Sequence, residues 1–354
     1  MEFRFFSSFG GLPLIPAERR RIMEAESFFL SEWWFQTIIN GALDAGDEIA
    51  IGCLTDFGQT IGLLPCRFRK RFGPFEGHSL MSLTGPYACL FRPLIYDVER
   101  EVVIARFLGR EIGRRLSRRD SIWLDAVDKE SPTFDGLCAG LRDAGFIAMQ
   151  YDHFGNWSEI LAGRTFQQYI SSRDGALQEI LRRKGRVAKR NGAEFEIVSE
   201  PDEVTMGIRE YELVYSRSWK VAEPYPQFHR LLMQNAAAQG ALRLGICRIE
   251  GAPVAAQLWI VWHRTATVLK LAHDEAFNKM SIGSVLTGYM IEELMKRDGI
   301  GEIDFGRGDD SYKRLWAERR RQRVGLIAAN PRSIAGMFRV VRQSLPNIMR
   351  SRKV

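Results

Sequence analysis

The sequence predicts a mixed α/β fold built twice along one chain. Each half is expected to be a mixed, mostly antiparallel sheet with flanking helices and parallel strands at its centre. Three observations point there. The 354 residues exceed the roughly 100–200 that usually share one core, so two domains are expected. The order strand, strand, strand, helix, strand, helix, strand can be read in both halves, as a repeated architecture rather than a repeat of residues. In the second half a helix separates a strand ending near Asp274 from one starting near Glu302, the crossover that parallel neighbours require. The divisions read are 1–160, 161–330 and a basic tail over 331–354.

In chain order, DEIAIGCL alternates as a strand and turns at 56–58. TIGLLPCRF and SLMSL follow before Gly85 and Pro86, completing a meander. A helix is expected over 97–117, with Val102, Val103, Phe107, Leu108 and Ile112 on one face and Arg110, Arg114, Arg115 and Arg118 on the other. SIWLDAV reads as a buried strand, FDGLCAGLRDA as a helix stopped by Gly145, and FIAMQYD as a strand. The second half opens on a helix supported by Leu177, Ile180 and Leu181 that becomes strongly basic from Arg182 to Arg190. ALRLGICRIE, APVAAQLWIVW and ATVLKLAHD then form strands joined by turns at Glu250-Gly251 and His263-Arg264. A helix over 284–296, the strand EIDF, the helix SYKRLWA and the strand VGLIAAN complete the order.

Composition narrows the class. With 45% hydrophobic and 26% charged residues the chain is an ordinary folding sequence, far from the signature of disorder. The net charge of +7 comes in clusters, which favours phosphates or an anionic membrane as partners. Cys53, Cys66, Cys89, Cys138 and Cys247 are odd in number and contain no CxxC pair, which fits a reducing compartment. No metal site is expected from them. The start is apolar from Phe5 to Ala17 but broken by glycine and proline, without a basic leader or a cleavage site. The best uncharged apolar run, GAPVAAQLWIVW, stops at 12 residues, short of the roughly 20 that span a bilayer. A cytoplasmic location, peripheral at most to the inner membrane, is the expectation. The tail after Pro331 interleaves Arg332, Arg339, Arg342, Arg350, Arg352 and Lys353 with Ile334, Met337, Phe338, Val341, Leu345 and Ile348. That suits an amphipathic helix on an anionic surface, interrupted by Pro346, or equally a solvated tail.

Several chemistries are excluded: there is no GxxxxGK[ST], GxSxG or HExxH, and no Cys/His cluster at zinc spacing. FGRGDDS follows a strand and precedes a helix, but Ser311 stands where a dinucleotide fingerprint needs glycine, and the strand comes late in a mainly antiparallel half. Acyl transfer or binding remains. The N-terminus of the helix in KMSIGSVL faces the crevice where parallel strands part, a natural place for phosphate. His273 ends a strand there beside Asp274 and Glu275, where a base is useful. In WKVAEPYPQF the two prolines predict an ordered loop that brings Trp219, Lys220 and Glu223 to a substrate or into packing. Lys270, inside an apolar strand, requires an anion or water. Around the glycine turn, Asp304, Arg307, Asp309, Asp310, Lys313 and Arg314 either line an acceptor pocket or pair with one another.

HDEAFNKMSIGSVL, DFGRGDDSYKRLWA, LQEILRRKGRVAKR and PVAAQLWIV together resemble the GNAT superfamily of acyltransferases. The nearest branch is the bacterial one named for the cellulose-biosynthesis protein CelD (CelD/BcsL type), related to the Fem peptidyltransferases. The resemblance covers about 160–325 well and the first half more loosely. It implies tandem GNAT-like domains with a thioester entering between two splayed parallel strands. The family's R/Q-x-x-G-x-G/A turn, which holds the donor's pyrophosphate, corresponds to Asn278, Lys279, Met280, Ser281, Ile282 and Gly283, with Ser284 and Ala272 alongside. Asn278 and Ser281 depart from that pattern and Gly283 fits it. The resemblance makes Tyr312 the acid for the leaving thiolate and leaves Asp274, His273 and Asp309 as candidate bases. An oxyanion would meet a backbone N–H near Ala272 or His273. Gln257, Trp259, Lys270, Asp304, Arg307 and Lys313 join Trp219, Lys220 and Glu223 as expected substrate contacts.

Three functions are compatible with this. The first is transfer from acyl-CoA or acyl carrier protein, with no tightly bound cofactor, to an amine or hydroxyl of a sugar, exopolysaccharide or cell-envelope precursor. The second is Fem-like transfer from aminoacyl-tRNA, whose phosphates the basic helices would meet. The third is a non-catalytic GNAT-like module in an envelope-assembly complex.

Overall fold

The computed structural model describes residues 1–71, 77–117, 119–161, 163–334 and 336. Contacts divide the chain into two units, Met1–Phe154 together with Gln322–Val354, and Gly155–Arg321. From residue 337 on, the basic tail lies outside the described residues.

The first unit contains β1 (Glu2–Phe6), α1 (Ala17–Glu26), α2 (Glu32–Gly41), β2 (Asp47–Asp56), β3 (Gln59–Arg71), β4 (Gly77–Ser82), β5 (Leu94–Ile95), α3 (Glu101–Arg115), β6 (Ser121–Asp128), α4 (Pro132–Asp143) and most of β7 (Ile147–Ile160). Its strand order is β1-β2-β3-β4-β6-β13-β7, with the late strand β13 (Arg319–Ala329) inserted between β6 and β7. The meander and the two expected helices, α3 and α4, appear where periodicity puts them, whereas α1 and α2 were not anticipated, and α3 presents a different face. Ile104, Ala105, Leu108 and Ile112 are buried, whereas Val102 and Val103 are exposed. The reason is close helix packing: an added Cβ at Gly109 would sit 2.4 Å from the Leu137 carbonyl and one at Gly140 1.9 Å from the Arg106 carbonyl. Glycines therefore choose the contact face of α3 and α4, and the two valines fall outside it.

Parallel strands β4 and β6 pair at only three positions, ending at Met81 and Trp123. Beyond that point the edge of β6 is taken by the chain itself. Phe91, 1% exposed, bridges to Val127 in parallel and donates its N–H to the Ala126 carbonyl at 2.8 Å.

The second unit contains α5 (Phe166–Ser171), α6 (Gly175–Glu179), α7 (Gly185–Arg190), β8 (Ala193–Val198), α8 (Val204–Ser216), α9 (Phe228–Ala238), β9 (Leu242–Ile249), β10 (Ala252–Trp262), β11 (Thr265–His273), α10 (Ile282–Arg297), β12 (Glu302–Arg307) and α11 (Lys313–Trp316). Its strand order is β7-β12-β11-β10-β9-β8. A π-helical turn, Ile180–Lys184, joins α6 to α7, so the basic segment is one winding rod. Helices α8 and α9 were not anticipated from the sequence, although Val204, Ile208, Tyr211 and Val214, all buried, recur at helical spacing. SYKRLWA forms only a single helical turn, and the arginines that follow it belong to β13.

Residue alternation assigns the two faces of the β9-β10-β11 ladder. Gln257 donates to the Gly283 carbonyl at 2.8 Å and to Thr287 Oγ1 at 2.9 Å, so its face carries α10. Its neighbour Leu258 pairs with Lys270 and therefore points the other way, with Lys270, toward the segment that follows α8.

Candidate active site

The site begins where β11 and β12 part. They pair in parallel at Thr265–Glu302, Ala266–Ile303 and Thr267–Asp304 and no further. The register of β11 against β10 then skips a residue, Leu269, between the pairs Trp259–Val268 and Leu258–Lys270. Such a bulge bends its strand and sharpens the twist, turning the last residues of β11 away from β12. Asp274 donates its N–H to the Val254 carbonyl at 2.8 Å. Since antiparallel partners alternate, the N–H of His273 points away from β10, into the gap.

On the α10 side, His273 leads into a 3-10 turn, Glu275–Met280, and then the helix. His273 Nε2 lies 2.6 Å from Asn278 Oδ1, and its Nδ1 faces Gly283, where a Cβ would come within 3.2 Å. Asp274 accepts the Ala276 N–H at 2.9 Å and caps the turn. Ser281 sits at φ +50°, the left-handed conformation that glycine adopts freely. The turn thus keeps the backbone shape of the glycine-rich pattern with a serine in it. Lys279 turns its carbonyl to Lys184 Nζ at 2.5 Å, Ile282 is buried, and Ser284 lies in the first turn of α10.

On the opposite face the loop 217–227 brings its charges to β11. Lys270 Nζ meets Glu223 Oε1 at 2.6 Å, and Tyr215 donates to the same oxygen at 2.5 Å. The anion that Lys270 requires is therefore supplied by the protein. Burial pushes the Glu223 carboxyl up, but the hydrogen bonds from Lys270 and Tyr215 outweigh it and hold the carboxyl below its ordinary value. Trp219 packs against His273 with ring centroids 4.5 Å apart and carries Lys220 Nζ 5.1 Å from its own centroid.

At the end of β12, Asp304 accepts from Asn156 at 2.6 Å, from the Gly306 N–H at 2.7 Å and from Arg321 at 3.1 Å. It holds the irregularity in the β12–β7 pairing between Asp304 and Arg307. Lys313 is buried and donates to the carbonyls of Arg307 at 2.6 Å and Gly308 at 3.2 Å. Asp309 is clamped by Arg320 at 2.7 and 2.6 Å and by the Trp157 indole at 2.9 Å. Arg320 above all pulls its pKa down to about 2, which makes it a weak base. Of the charge pairing considered at this turn, Asp310–Lys313 is present at 3.3 Å, while Asp304 and Asp309 pair with Arg321 and Arg320 instead.

Tyr312 heads α11 and packs against the core around Phe305 and Trp316. Among the described residues its hydroxyl has no hydrogen-bond partner. Burial, with the nearby Asp310 charge, raises its pKa, so the hydroxyl stays protonated at neutral pH.

Two expected substrate contacts are corrected. Gln257 and Trp259 are each 0% exposed, and Trp259 donates its indole N–H to Gln257 Oε1 at 3.0 Å. They tie β10 to α10 and do not reach the gap. Asp304 and Lys313 are likewise engaged in holding the end of β12. Sequence reasoning also missed Tyr211, Tyr215 and His229, which with Lys220, Glu223 and Pro226 line a cleft of about 390 Å³. The signal for Tyr211 and Tyr215 was the helical spacing of α8, while His229 lies in the first turn of α9. Among the described residues no group of histidine, cysteine and carboxylate side chains could hold a metal ion. Among the described residues no helix is long and apolar enough to cross a membrane.

Residues 176–314 match the family model described as the acetyltransferase (GNAT) domain. No curated protein sequence matches. Among solved structures, FemX superposes with a TM-score of 0.61 at 11% identity, over 93% of this chain and 97% of its own. The C-terminal domain of a putative lysylphosphatidylglycerol synthetase from Agrobacterium fabrum gives 0.52 at 12% identity, over 88% and 90%. A tandem GNAT protein from the clavulanic acid biosynthesis pathway gives 0.51 at 11% identity, over 93% and 99%. The chain thus has the mixed α/β GNAT fold, with tandem GNAT, FemX and lysylphosphatidylglycerol synthetase structures as neighbours.

Proposed function

We propose that the chain is an acyltransferase of the CelD/BcsL-type branch. It moves an acyl group from acyl-CoA or acyl carrier protein to an amine or hydroxyl of an exopolysaccharide or cell-envelope precursor. The two contact units are read as tandem GNAT-like domains, with the reaction in Gly155–Arg321. The observation that carries this reading is the parting of β11 and β12 after Thr267 and Asp304, beside the N-terminus of α10. An extended thioester arm enters that gap as a strand would, and its phosphates lie against the turn from Asn278 to Ser284, where the N–H groups of the first residues of α10, Ile282 to Ser284, have no intrahelical partner. The acceptor comes from the opposite face, across Lys270 and the loop 217–227.

In this mechanism the acceptor atom attacks the thioester carbonyl. The His273 N–H steadies the developing oxyanion, Tyr312 gives its proton to the departing thiolate, and the proton that the acceptor atom loses on forming the new bond passes to water, from which the Tyr312 oxygen is reprotonated. A protonated hydroxyl that no described residue holds is suited to that donation. Asp274 and His273 act as positioning residues: one caps the 3-10 turn and the other pins it through Asn278. Incubation with a panel of acyl-CoA thioesters and acylated carrier protein tests the proposal. Thiol release and a raised melting temperature with at least one donor are expected. If no thioester shifts the melting temperature, a binding module is the better description.

One observation favours a second reading, with aminoacyl-tRNA as the donor. The rod from α6 to α7 places Arg182, Arg183 and Lys184 together and sets Lys184 directly on the carbonyl of Lys279. Steeply salt-dependent retention of tRNA without binding of CoA would select it.

A further inference from the structure

The cleft between α8, α9 and the loop 217–227 lies on the acceptor face, and its charges do not balance. It lines about 390 Å³, within the range of small-ligand sites. Two of its lining side chains are carboxylates, and each already has a cation. Glu212 binds Arg230 at 2.6 Å, and Glu223 binds Lys270 at 2.6 Å. His229 contributes no charge, because burial lowers its pKa to about 4. Lys220 differs. Among the described residues no carboxylate lies within ion-pair distance of its Nζ, and its one close partner is the Trp219 ring. It is half-buried, and burial first, then the charge of Lys270, pull its pKa down; Asp310 and Glu223 oppose this, and Lys313 adds least. An ammonium held this way gains from an anion beside it. Around it, Tyr211, Tyr215 and Pro226 offer flat, mostly apolar walls.

We propose that this cleft binds the acceptor through an anionic group, a carboxylate or phosphate carried on a compact ring-like body, which Lys220 neutralises while Tyr211, Tyr215 and Pro226 enclose the body. Calling the ligand the acceptor rests on the acyl-transfer reading; the binding chemistry does not. The site abuts the gap because Lys270, on β11, reaches Glu223 in its wall, and because Trp219, next to Lys220, packs on His273.

The test titrates the full chain with probes that share a ring and differ in charge: phenyl phosphate, benzoate, benzyl alcohol and benzylamine, with inorganic phosphate alone as a fifth arm. Phenyl phosphate or benzoate is expected to bind at least tenfold more tightly than benzyl alcohol or benzylamine. Preference between those two anions, and the response to bare phosphate, identify the source of the charge. Lys220→Met is expected to lose about tenfold or more in anion affinity, with Lys220→Arg within a few-fold of the parent, both at unchanged melting temperature without ligand. Equal binding of the neutral or cationic probe, or an unchanged affinity in Lys220→Met, overturns the proposal. The two readings fail separately. Loss of donor thermal shifts with anion binding intact removes the acyltransferase and leaves the cleft, whereas donor shifts without anion binding remove the cleft alone.

Discussion

Thr267 on β11 and Asp304 on β12 are the last residues to face each other across the parallel pair, and Leu269, two residues beyond Thr267, is the bulge that turns β11 aside. The gap therefore has a local, covalent cause in one extra residue. The first unit repeats the three-residue parallel pairing but fills the space after it with Phe91.

One donor site per chain is expected. Calorimetric titration with a productive acyl-CoA should give a stoichiometry of one, because the edge of β6 beyond Trp123 is already taken. Two equivalent sites would contradict the assignment of the gap to the second unit alone.

Tyr312→Phe removes a hydroxyl that bonds to no described residue, so the melting temperature should change little. Steady-state thiol release should fall by about 10²–10⁴ in kcat with a nearly unchanged KM for the donor, the usual range for losing a general acid. A fall confined to KM would assign Tyr312 to binding.

Ser281 occupies a left-handed conformation that costs an L-residue about 1–2 kcal/mol. Ser281→Gly should retain donor affinity and keep stability within about 1 kcal/mol, relief of strain being offset by the freer unfolded chain. Ser281→Val should lower stability by at least about 1 kcal/mol in denaturant titrations and weaken donor binding, because a β-branched residue resists φ +50°.

Asp304→Ala strips partners from the Asn156 amide, the Gly306 N–H and Arg321. Unfolding free energy should drop by about 1–3 kcal/mol, the cost of leaving buried donors unsatisfied. Asp304→Asn should recover part of that loss; an unchanged midpoint for Asp304→Ala would show that the end of β12 does not depend on it.

His229 is buried in its neutral form, with Tyr211, Tyr215, Glu223 and Lys270 as its charged and aromatic surroundings. Burial lowers its pKa from 6.5 in the unfolded chain to about 4. The sign follows from proton binding: below pH 6.5 the unfolded state takes up a proton that the folded state resists. The stabilisation is complete above that pH and is lost as pH falls toward 4, on the order of 3 kcal/mol in all. Denaturant titrations from pH 7.5 to 4 should show this slope, and His229→Gln should flatten it.

Much of the scaffold was legible in the sequence because period and punctuation are local. The β10–β11 hairpin follows from alternation on either side of His263-Arg264, and α10 from its own periodicity between the glycine-bearing turns. The crossover through α10 is enough to make β11 and β12 parallel neighbours. The residue types around the gap were also readable, Tyr312 and the turn at Gly283 among them.

What only the tertiary structure decided was which charges answer one another. Lys270 needed an anion, but that it would be Glu223, 47 residues away, depends on how α8 lies on the sheet. Asp304 and Asp309 find Arg321 and Arg320 rather than the cations beside them in sequence, because β13 returns past β12. Gln257 faces the core rather than the gap because its face of β10 meets α10. Periodicity states which side of an element a residue occupies; what covers that side is set by long-range packing, where the free energy belongs to many residues at once.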